Sequence, residues 1–517
     1  MPQKPNIVFF MVDQLSARWL EEGATKCVPT PNLDRLRNRS ANFSKAYTSN
    51  PVCMPARATL ATGLNSRQHG VLQNGYRLDP NLPTFMQMLQ KDGYRTGAFG
   101  KVHLHPHFAG VHPDYREYGF DVTHITEDPR AGEWLDWIEQ NHPEHFEAAL
   151  ATIWCADIPE LKSYGPEKRD LSSRIKTIRD EFDFATDDFP ENTPQAYTLP
   201  FPEAISQTHW ITDHALDFIR GADPAEPLLA HISYVQPHGP SCPPAEYMDL
   251  VEPDLIPEPS APEWPDDPLR PEAFDDLPPW KSARSIPENW RTRRHYYFAD
   301  IAHLDHQLGK VMDALEETGR LGNTYIIFLA DHGELLLEHG FTGKEEYHYD
   351  ACIRIPLMII GPQVVPGPRT NIVQLEDIFP TVLDMAGLEQ PSPPVLGPYL
   401  QDEPERFPGQ SLLPICCEGA GGERDAAYSE SYNSISNASP HHWARTICTE
   451  RYRYTIYPGG SGEQLFDLEE DPAEQRNMAG LHEHADLRRE LRDRLMDLII
   501  LQDYPHPTRE MFAHGVH

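Results

Sequence analysis

Basic residues are scarce in this sequence. Its 517 positions carry 44 Lys and Arg against 79 Asp and Glu, a formal net charge of −35. A chain so acidic is repelled by phosphate backbones and by anionic lipid, so neither nucleic acid nor a membrane surface is an expected partner. Paired cysteines are missing too. Cys27, Cys53, Cys155, Cys242, Cys352, Cys416, Cys417 and Cys448 are scattered, with no C-x-x-C among them. That speaks against a zinc cluster or a disulfide scaffold and suits a reducing compartment. No apolar run is long enough to span a bilayer, and the opening MPQKPNIVFFMVDQ has no cleavable signal pattern, so the expected location is the cytoplasm. There is no internal repeat and no low-complexity tract. The sequons at Asn42 and Asn437 are triplets that chance often supplies.

What is present is length and apolar patterning. Single cores stop growing near about 250–300 residues. The expected organisation is therefore a large α/β domain over 1–404, with insertions near 108–205 and 240–290, and a smaller unit over 405–517. Proline is abundant, with 51 in the chain, and clusters between 237 and 290, which predicts ordered irregular loop and not a flexible linker there. Asn6 to Val12, Leu228 to Val235 and Thr324 to Ala330 are continuous apolar runs, as expected of strands buried on both faces of a parallel sheet. Further strands are predicted at 43–48, 96–99 and 355–360. Helices are predicted at 31–40, from Pro55 onward with Cys53 in the preceding loop, and at 84–91, 209–219, 290–317 and 376–386. After 405 four short strands and a helix over 484–501 read as a small antiparallel sheet with a packed helix. Alternating strands and helices imply a sheet covered on both faces, with functional groups collected at the carboxyl ends of strands. Asp13, Asp331 and His332 each follow a predicted strand.

The densest local signal is Cys53-Met54-Pro55-Ala56-Arg57, followed by Ala58-Thr59-Leu60-Ala61-Thr62-Gly63. A lone cysteine ahead of a helix is ordinarily core. Here it lies between two strand-end acidic positions, Asp13-Gln14 and Asp331-His332. Hard oxygen donors plus one imidazole suit a divalent cation such as Ca2+ or Mn2+. Arg57, Lys101 and Lys344 supply the local positive charge that an acidic protein needs to hold an anion. His103, His105 and His107 alternate, but zinc sites rarely draw three histidines from one short loop. Glu334 and Arg354 are expected to be structural.

The C-x-P-x-R core resembles the maturation signature of the sulfatases of the alkaline phosphatase superfamily, and Ala330-Asp331-His332-Gly333-Glu334 resembles that family's second metal motif. The resemblance implies a large mixed, mostly parallel sheet with helices on both faces and a small C-terminal antiparallel sheet. It implies that Cys53 is oxidised by a formylglycine-generating enzyme, and that the aldehyde hydrate attacks the sulfur or phosphorus of a small anionic ester. It implies one divalent metal, Ca2+ foremost and Mn2+ as the alternative, held by Asp13, Gln14, the converted Cys53, Asp331 and His332. Gly100-Lys101-Val102-His103 resembles the family's K-x-H element, so Lys101 would bind a non-bridging oxygen and His103 the formylglycine hydroxyl. Pro237-His238-Gly239-Pro240 resembles the segment whose histidine faces the leaving oxygen, and Gly343-Lys344 the second lysine. Asn74 falls where choline sulfatases and phosphonate monoester hydrolases carry a substrate-binding asparagine. Gln14 stands where a second aspartate is common and His332 where asparagine is common, choices shared with those two groups. Glu463 to Pro472 is similar to the family's closing element. The implied activity is sulfate ester hydrolysis. Phosphonate monoester or phosphodiester hydrolysis on the same site is the alternative, and a non-catalytic anion-binding protein the reading from another class. The apolar tail, with Tyr504, Pro505, Pro507 and Phe512, suggests packing across a subunit boundary in a homo-oligomer.

Overall fold

The computed structural model describes residues 3–178, 181–182, 196–277, 281–391, 408–419, 421–422, 424–432 and 440–502. The expected boundary at 404/405, Asn437 and the apolar tail lie outside them. Among these residues the main sheet runs β4-β3-β5-β1-β6-β7-β2-β8. Its strands are β1 (Asn6–Val12), β2 (Ala41–Tyr47), β3 (Arg95–Gly100), β4 (Val122–Ile125), β5 (Leu228–Tyr234), β6 (Thr324–Ala330), β7 (Leu357–Ile360) and β8 (Gly367–Gln374). β4, β3, β5, β1 and β6 are mutually parallel, whereas β7 runs antiparallel to both β6 and β2. A second sheet, β9 (Ala426–Ser431), β10 (Ala444–Thr449), β11 (Tyr452–Ile456) and β12 (Glu463–Asp467), is antiparallel throughout.

β1 is the middle of the molecule, and its composition explains why. All seven residues of Asn-Ile-Val-Phe-Phe-Met-Val are buried between β5 and β6. Successive side chains serve opposite faces. Phe9 stacks on Phe85 at 5.2 Å, whereas Phe10 meets Tyr234 at 4.9 Å and Phe328 at 5.8 Å. The principal helices are α1 (Pro31–Arg37), α2 (Cys53–Thr62), α3 (Phe85–Lys91), α4 (Gln207–Gly221), α5 (Trp290–Glu317), α6 (Ile378–Ala386) and α7 (Ala485–Gln502). α4 packs on β3 and β5 and against α5. The side chain of Thr30 does not cap α1; Asp305 of α5 accepts the Leu33 N–H at 2.6 Å and the Asn32 N–H at 3.3 Å instead. α2 is buried along its whole length and stops at Gly63, whose φ is 69°. An added Cβ there would lie 2.9 Å from Phe379, so conformation and space both require glycine.

Four expectations need correction. Cys53 does not sit in a loop; it is the first residue of α2, after Val52 in an extended conformation. Pro55 falls in the first turn, where its missing N–H has no helical acceptor to lose. Residues 108–205 are not wholly an insertion, because Val122–Ile125 forms an edge strand of the main sheet. Those four residues are half-polar and too short to stand out by periodicity. β8 is an additional strand with no apolar signal, because Gly-Pro-Arg-Thr-Asn is polar, as a sheet-edge strand can be. α1 ends at Arg37, not Ser40.

α4 and α5 are also joined electrostatically. Glu203 accepts from His209 at 2.9 Å, His303 at 3.1 Å and Gln307 at 3.0 Å. Burial alone would lower His209, but its bonds to Asp213 and Glu203 outweigh it and raise it to about 9. A histidine raised on folding stabilises most below its ordinary value of 6.5, and that contribution disappears as pH climbs through about 9. The difference in Tm between the wild-type chain and His209→Gln should therefore be largest below pH 6.5 and shrink toward pH 9. A difference independent of pH would show that the charge on His209 is not what binds these elements.

Candidate active site

The parallel register sets the site. Val12 pairs with Ala330, so Asp13 and Asp331 leave the sheet side by side. Gly100 pairs with both Ser233 and Ile125, which brings Lys101 and the Glu127-Asp128 pair to the same edge. Gly100 has φ 91°, and a Cβ on it would fall 2.1 Å from the Ser233 carbonyl oxygen, so only glycine lets β3 turn here. Into this edge points the start of α2, carrying Cys53 and, one turn later, Arg57.

Arg57 ties the parts together. Its Nε donates to Asp331 Oδ2 at 2.9 Å, one Nη to Asp13 Oδ2 at 3.2 Å, and the other Nη to the Lys101 carbonyl at 2.7 Å and Ser233 Oγ at 3.0 Å. Lys101 is fully buried. It donates to Asp128 at 2.6 and 2.8 Å and contacts Asp13. Lys344 Nζ lies 2.8 Å from Cys53 Sγ and 3.1 Å from His332 Nε2. Burial by itself would raise the Cys53 thiol, but Lys101, Lys344 and His332 outweigh it and hold the thiol well below its ordinary range. Burial, helped by His107 and Lys101, pushes His103 down to about 4.

Asp13, Cys53, Asp331 and His332 each present one donor atom, all within 4.8 Å of one another. Further observations fit a cation there. The His332 Nδ1–H faces the Gly333 carbonyl at 3.0 Å, which leaves the Nε2 lone pair for a ligand. Gln14 Oε1 is buried without a hydrogen-bond partner. An unpaired buried amide oxygen costs about 1–3 kcal/mol, and a cation would satisfy it. Gln14 itself, at φ 62°, is fixed by its N–H to Asp331 Oδ1 at 3.0 Å and by its amide to Glu334.

Asp13, Gln14, Cys53, Arg57, Lys101, Asp331, His332 and Lys344 thus converge as expected. Asn74 accepts the Met54 N–H at 3.1 Å, beside the Cys53 backbone. His238 is half-buried in the loop after β5, its Nδ1 2.7 Å from the Gly239 carbonyl. Lys101 already has two carboxylate partners, Asp13 and Asp128. His105 turns away to Glu117 at 2.9 Å. His107, by contrast, stacks on His103 at 3.6 Å and reaches Glu127 at 3.0 Å. Glu127 and Asp128 belong to the site but carry no motif of their own. The strand-end rule locates them only once β4 is known to be a strand. A cleft of about 570 Å3 at the β8–α7 junction is no competitor, since its Lys45, Arg424, Arg451 and Arg494 are each paired with a carboxylate.

Residues 5–388 match the family model described as Sulfatase. The chain belongs to the sulfatase family. Residues 337–500 also match the model described as N-sulphoglucosamine sulphohydrolase, C-terminal. This sulfatase is 28% identical to an arylsulfatase of Clostridium perfringens over 489 residues, 93% of this chain and 91% of the relative. It is 28% identical to a choline-sulfatase of Rhizobium meliloti, covering 92% of this chain and 82% of that one. Its fold is that of the phosphonate monoester hydrolase of Agrobacterium radiobacter, with TM-score 0.73, 24% identity and 99% of each chain covered. The protein is a sulfuric ester hydrolase. No helix among the described residues is long and apolar enough to cross a membrane.

Removing Arg57 would leave two facing carboxylates buried. Arg57→Met should destabilise the metal-free sulfatase by about 3–5 kcal/mol in urea denaturation, with part of the loss recovered on adding a divalent cation. Unchanged stability would mean that Asp13 and Asp331 do not depend on this guanidinium.

Proposed function

We propose that this sulfatase cleaves sulfate esters of the aryl type, with position 53 as formylglycine and one divalent cation, Ca2+ in the first place, held by Asp13, Gln14, Asp331 and His332. The observation that carries this reading is the convergence of Cys53, at the first residue of a buried helix, with three other metal-type donors and the orphaned Gln14 Oε1. When bound, the cation supplies Lewis-acid polarisation of the ester and the converted side chain an oxygen nucleophile. Conversion requires a formylglycine-generating enzyme as a partner during maturation.

The remaining steps fall to groups of the chain itself. Arg57 and Lys344 hold positive charge where negative charge grows on the transferred group. Lys101, braced by Asp128 and Asp13, contributes a fixed ammonium at the same edge. His103, buried and neutral, accepts a proton from the side chain at 53. His238, with Nδ1 facing the Gly239 carbonyl, keeps Nε2 for the departing oxygen and delivers a proton there. Asn74, fixed against the Met54 N–H, turns its amide nitrogen toward substrate.

A second reading, phosphonate monoester hydrolysis on the same site, is supported by the fold it shares with the Agrobacterium enzyme, and Gln14 and His332 suit it as well as they suit a choline sulfatase. One metal-replete preparation should be assayed with an aryl sulfate and an aryl phosphonate monoester. A kcat/KM ratio above about 100 for the sulfate, near 2.7 kcal/mol of transition-state preference, supports the first reading; the reverse ratio replaces it with the second. Cys53→Ala should abolish turnover of both. His238→Ala should slow an alkyl ester by about 100-fold or more, but an activated nitrophenyl ester by under about 10-fold. Equal losses on the two esters would remove His238 from the acid role.

A further inference from the structure

We propose that the sulfatase with Cys53 unconverted is a zinc protein, so that conversion of this one side chain changes the class of metal the site selects. The inference rests on reading Asp13, Asp331 and His332 as the metal donors. It goes beyond that reading in asking what the same residues hold before maturation.

Donor chemistry separates the two forms. Ca2+ and Mg2+ take oxygen ligands, and a thiolate in the set works against them. A sulfur, an imidazole nitrogen and two carboxylate oxygens are instead a zinc donor set. Four of the donor separations come close to the required geometry. Ligands about 2.0–2.3 Å from a tetrahedral zinc ion stand about 3.3–3.6 Å from one another. Here Cys53 Sγ lies 3.2 Å from His332 Nε2 and 3.8 Å from Asp13 Oδ1. His332 Nε2 lies 3.7 Å from Asp13 Oδ1 and 3.6 Å from Asp331 Oδ1. All four residues are buried to within 1% of full burial, so no rearrangement of exposed side chains is needed to assemble them.

The surroundings prepare the donors. The Gly333 carbonyl holds the His332 ring through Nδ1, so Nε2 is the nitrogen turned to the other donors. Arg57 orients both carboxylates through the oxygens not offered to the ion, Asp13 Oδ2 and Asp331 Oδ2. Such outer contacts are what holds metal ligands in place. Lys344 Nζ sits 2.8 Å from Sγ and 3.1 Å from Nε2, so two of the donors already converge on one cation. Conversion to formylglycine removes the sulfur and puts oxygen in its place. The set then has one nitrogen and otherwise oxygen, which suits Ca2+ or Mn2+. A chain that folds before conversion is held in the zinc form.

The test uses two preparations of the full chain, produced with and without a formylglycine-generating enzyme. Peptide mass reads the state of position 53 in each. Both are stripped of metal and titrated with Co2+, Zn2+ and Ca2+. The unconverted chain should bind a single Co2+ with a thiolate-to-cobalt charge-transfer band in the near ultraviolet and the intense visible bands of tetrahedral Co2+. Zn2+ should displace that Co2+, whereas excess Ca2+ should not. Cys53→Ser and the converted chain should lack the charge-transfer band, and Cys53→Ser should weaken Zn2+ binding by at least about 100-fold. Co2+ binding to the unconverted chain without the band, or a band that survives Cys53→Ser, overturns the inference. Calcium calorimetry separates the two failures. If the converted chain binds Ca2+ and His332→Ala does not, the metal reading stands and only the zinc form falls. If neither preparation binds Ca2+ or Co2+, both fall together.

Discussion

Two carboxylates that end adjacent parallel strands repel each other, and burial multiplies the repulsion. Asp13 and Asp331 are placed in this position by the register of β1 and β6. Burial and Asp13 together push Asp331 above its ordinary range. The Arg57 guanidinium lies against both and also reaches the β3 and β5 ends through Lys101 and Ser233. One planar cation therefore joins four strand ends to α2. Its fork matches this task in a way that a lysine ammonium could not. Cys53 takes its place from the same helix, so its position and the charge balance of the site are set by a single element.

The parts legible in the sequence are those where local pattern and tertiary role coincide. The strands β1, β5 and β6 are buried on both faces, and their unbroken apolar runs mark their bounds almost to the residue. Those bounds alone are enough to put Asp13, Asp331 and His332 at one edge of the sheet. α5 is readable over its full length because its apolar spacing persists for 28 residues. The remainder depends on partners far away in sequence. β4 is a strand only because β3 offers it a ladder, and without β4 the roles of Glu127 and Asp128 are invisible. Glu334 has the structural role expected of it, since it holds its loop by accepting from Gln14, Leu336 and Gly343. That this loop in turn carries Lys344 cannot be read from spacing. The cysteine motif marks the family but not its own conformation, because a proline two residues on looks like a helix boundary from either side.

An acidic chain that handles an anion must confine its positive charge. Arg57, Lys101 and Lys344 are all buried, and each is matched by a neighbouring negative group. Buried pairs of this kind add little net stability, since desolvation offsets most of the attraction. Their value is geometric: charges that cannot relax into solvent present the same arrangement at every turnover. Most of the surplus of Asp and Glu lies outside, where solvent screens it.

The second sheet adds an order in time. The Ser49 carbonyl accepts the Glu430 N–H at 2.8 Å, and the Ser49 hydroxyl meets Glu376. The loop just before Cys53 is thus latched from behind by β9. Glu430 leaves the ribosome about 380 residues after Cys53. At about 5–20 residues per second, the segment spends roughly 20–80 s without its latch while the chain is being made. β1 likewise waits for β5 and β6 to be synthesised before the sheet can close over it. A side chain that ends in full burial is therefore open to a modifying enzyme during synthesis, and the chain's own topology sets how long that window lasts.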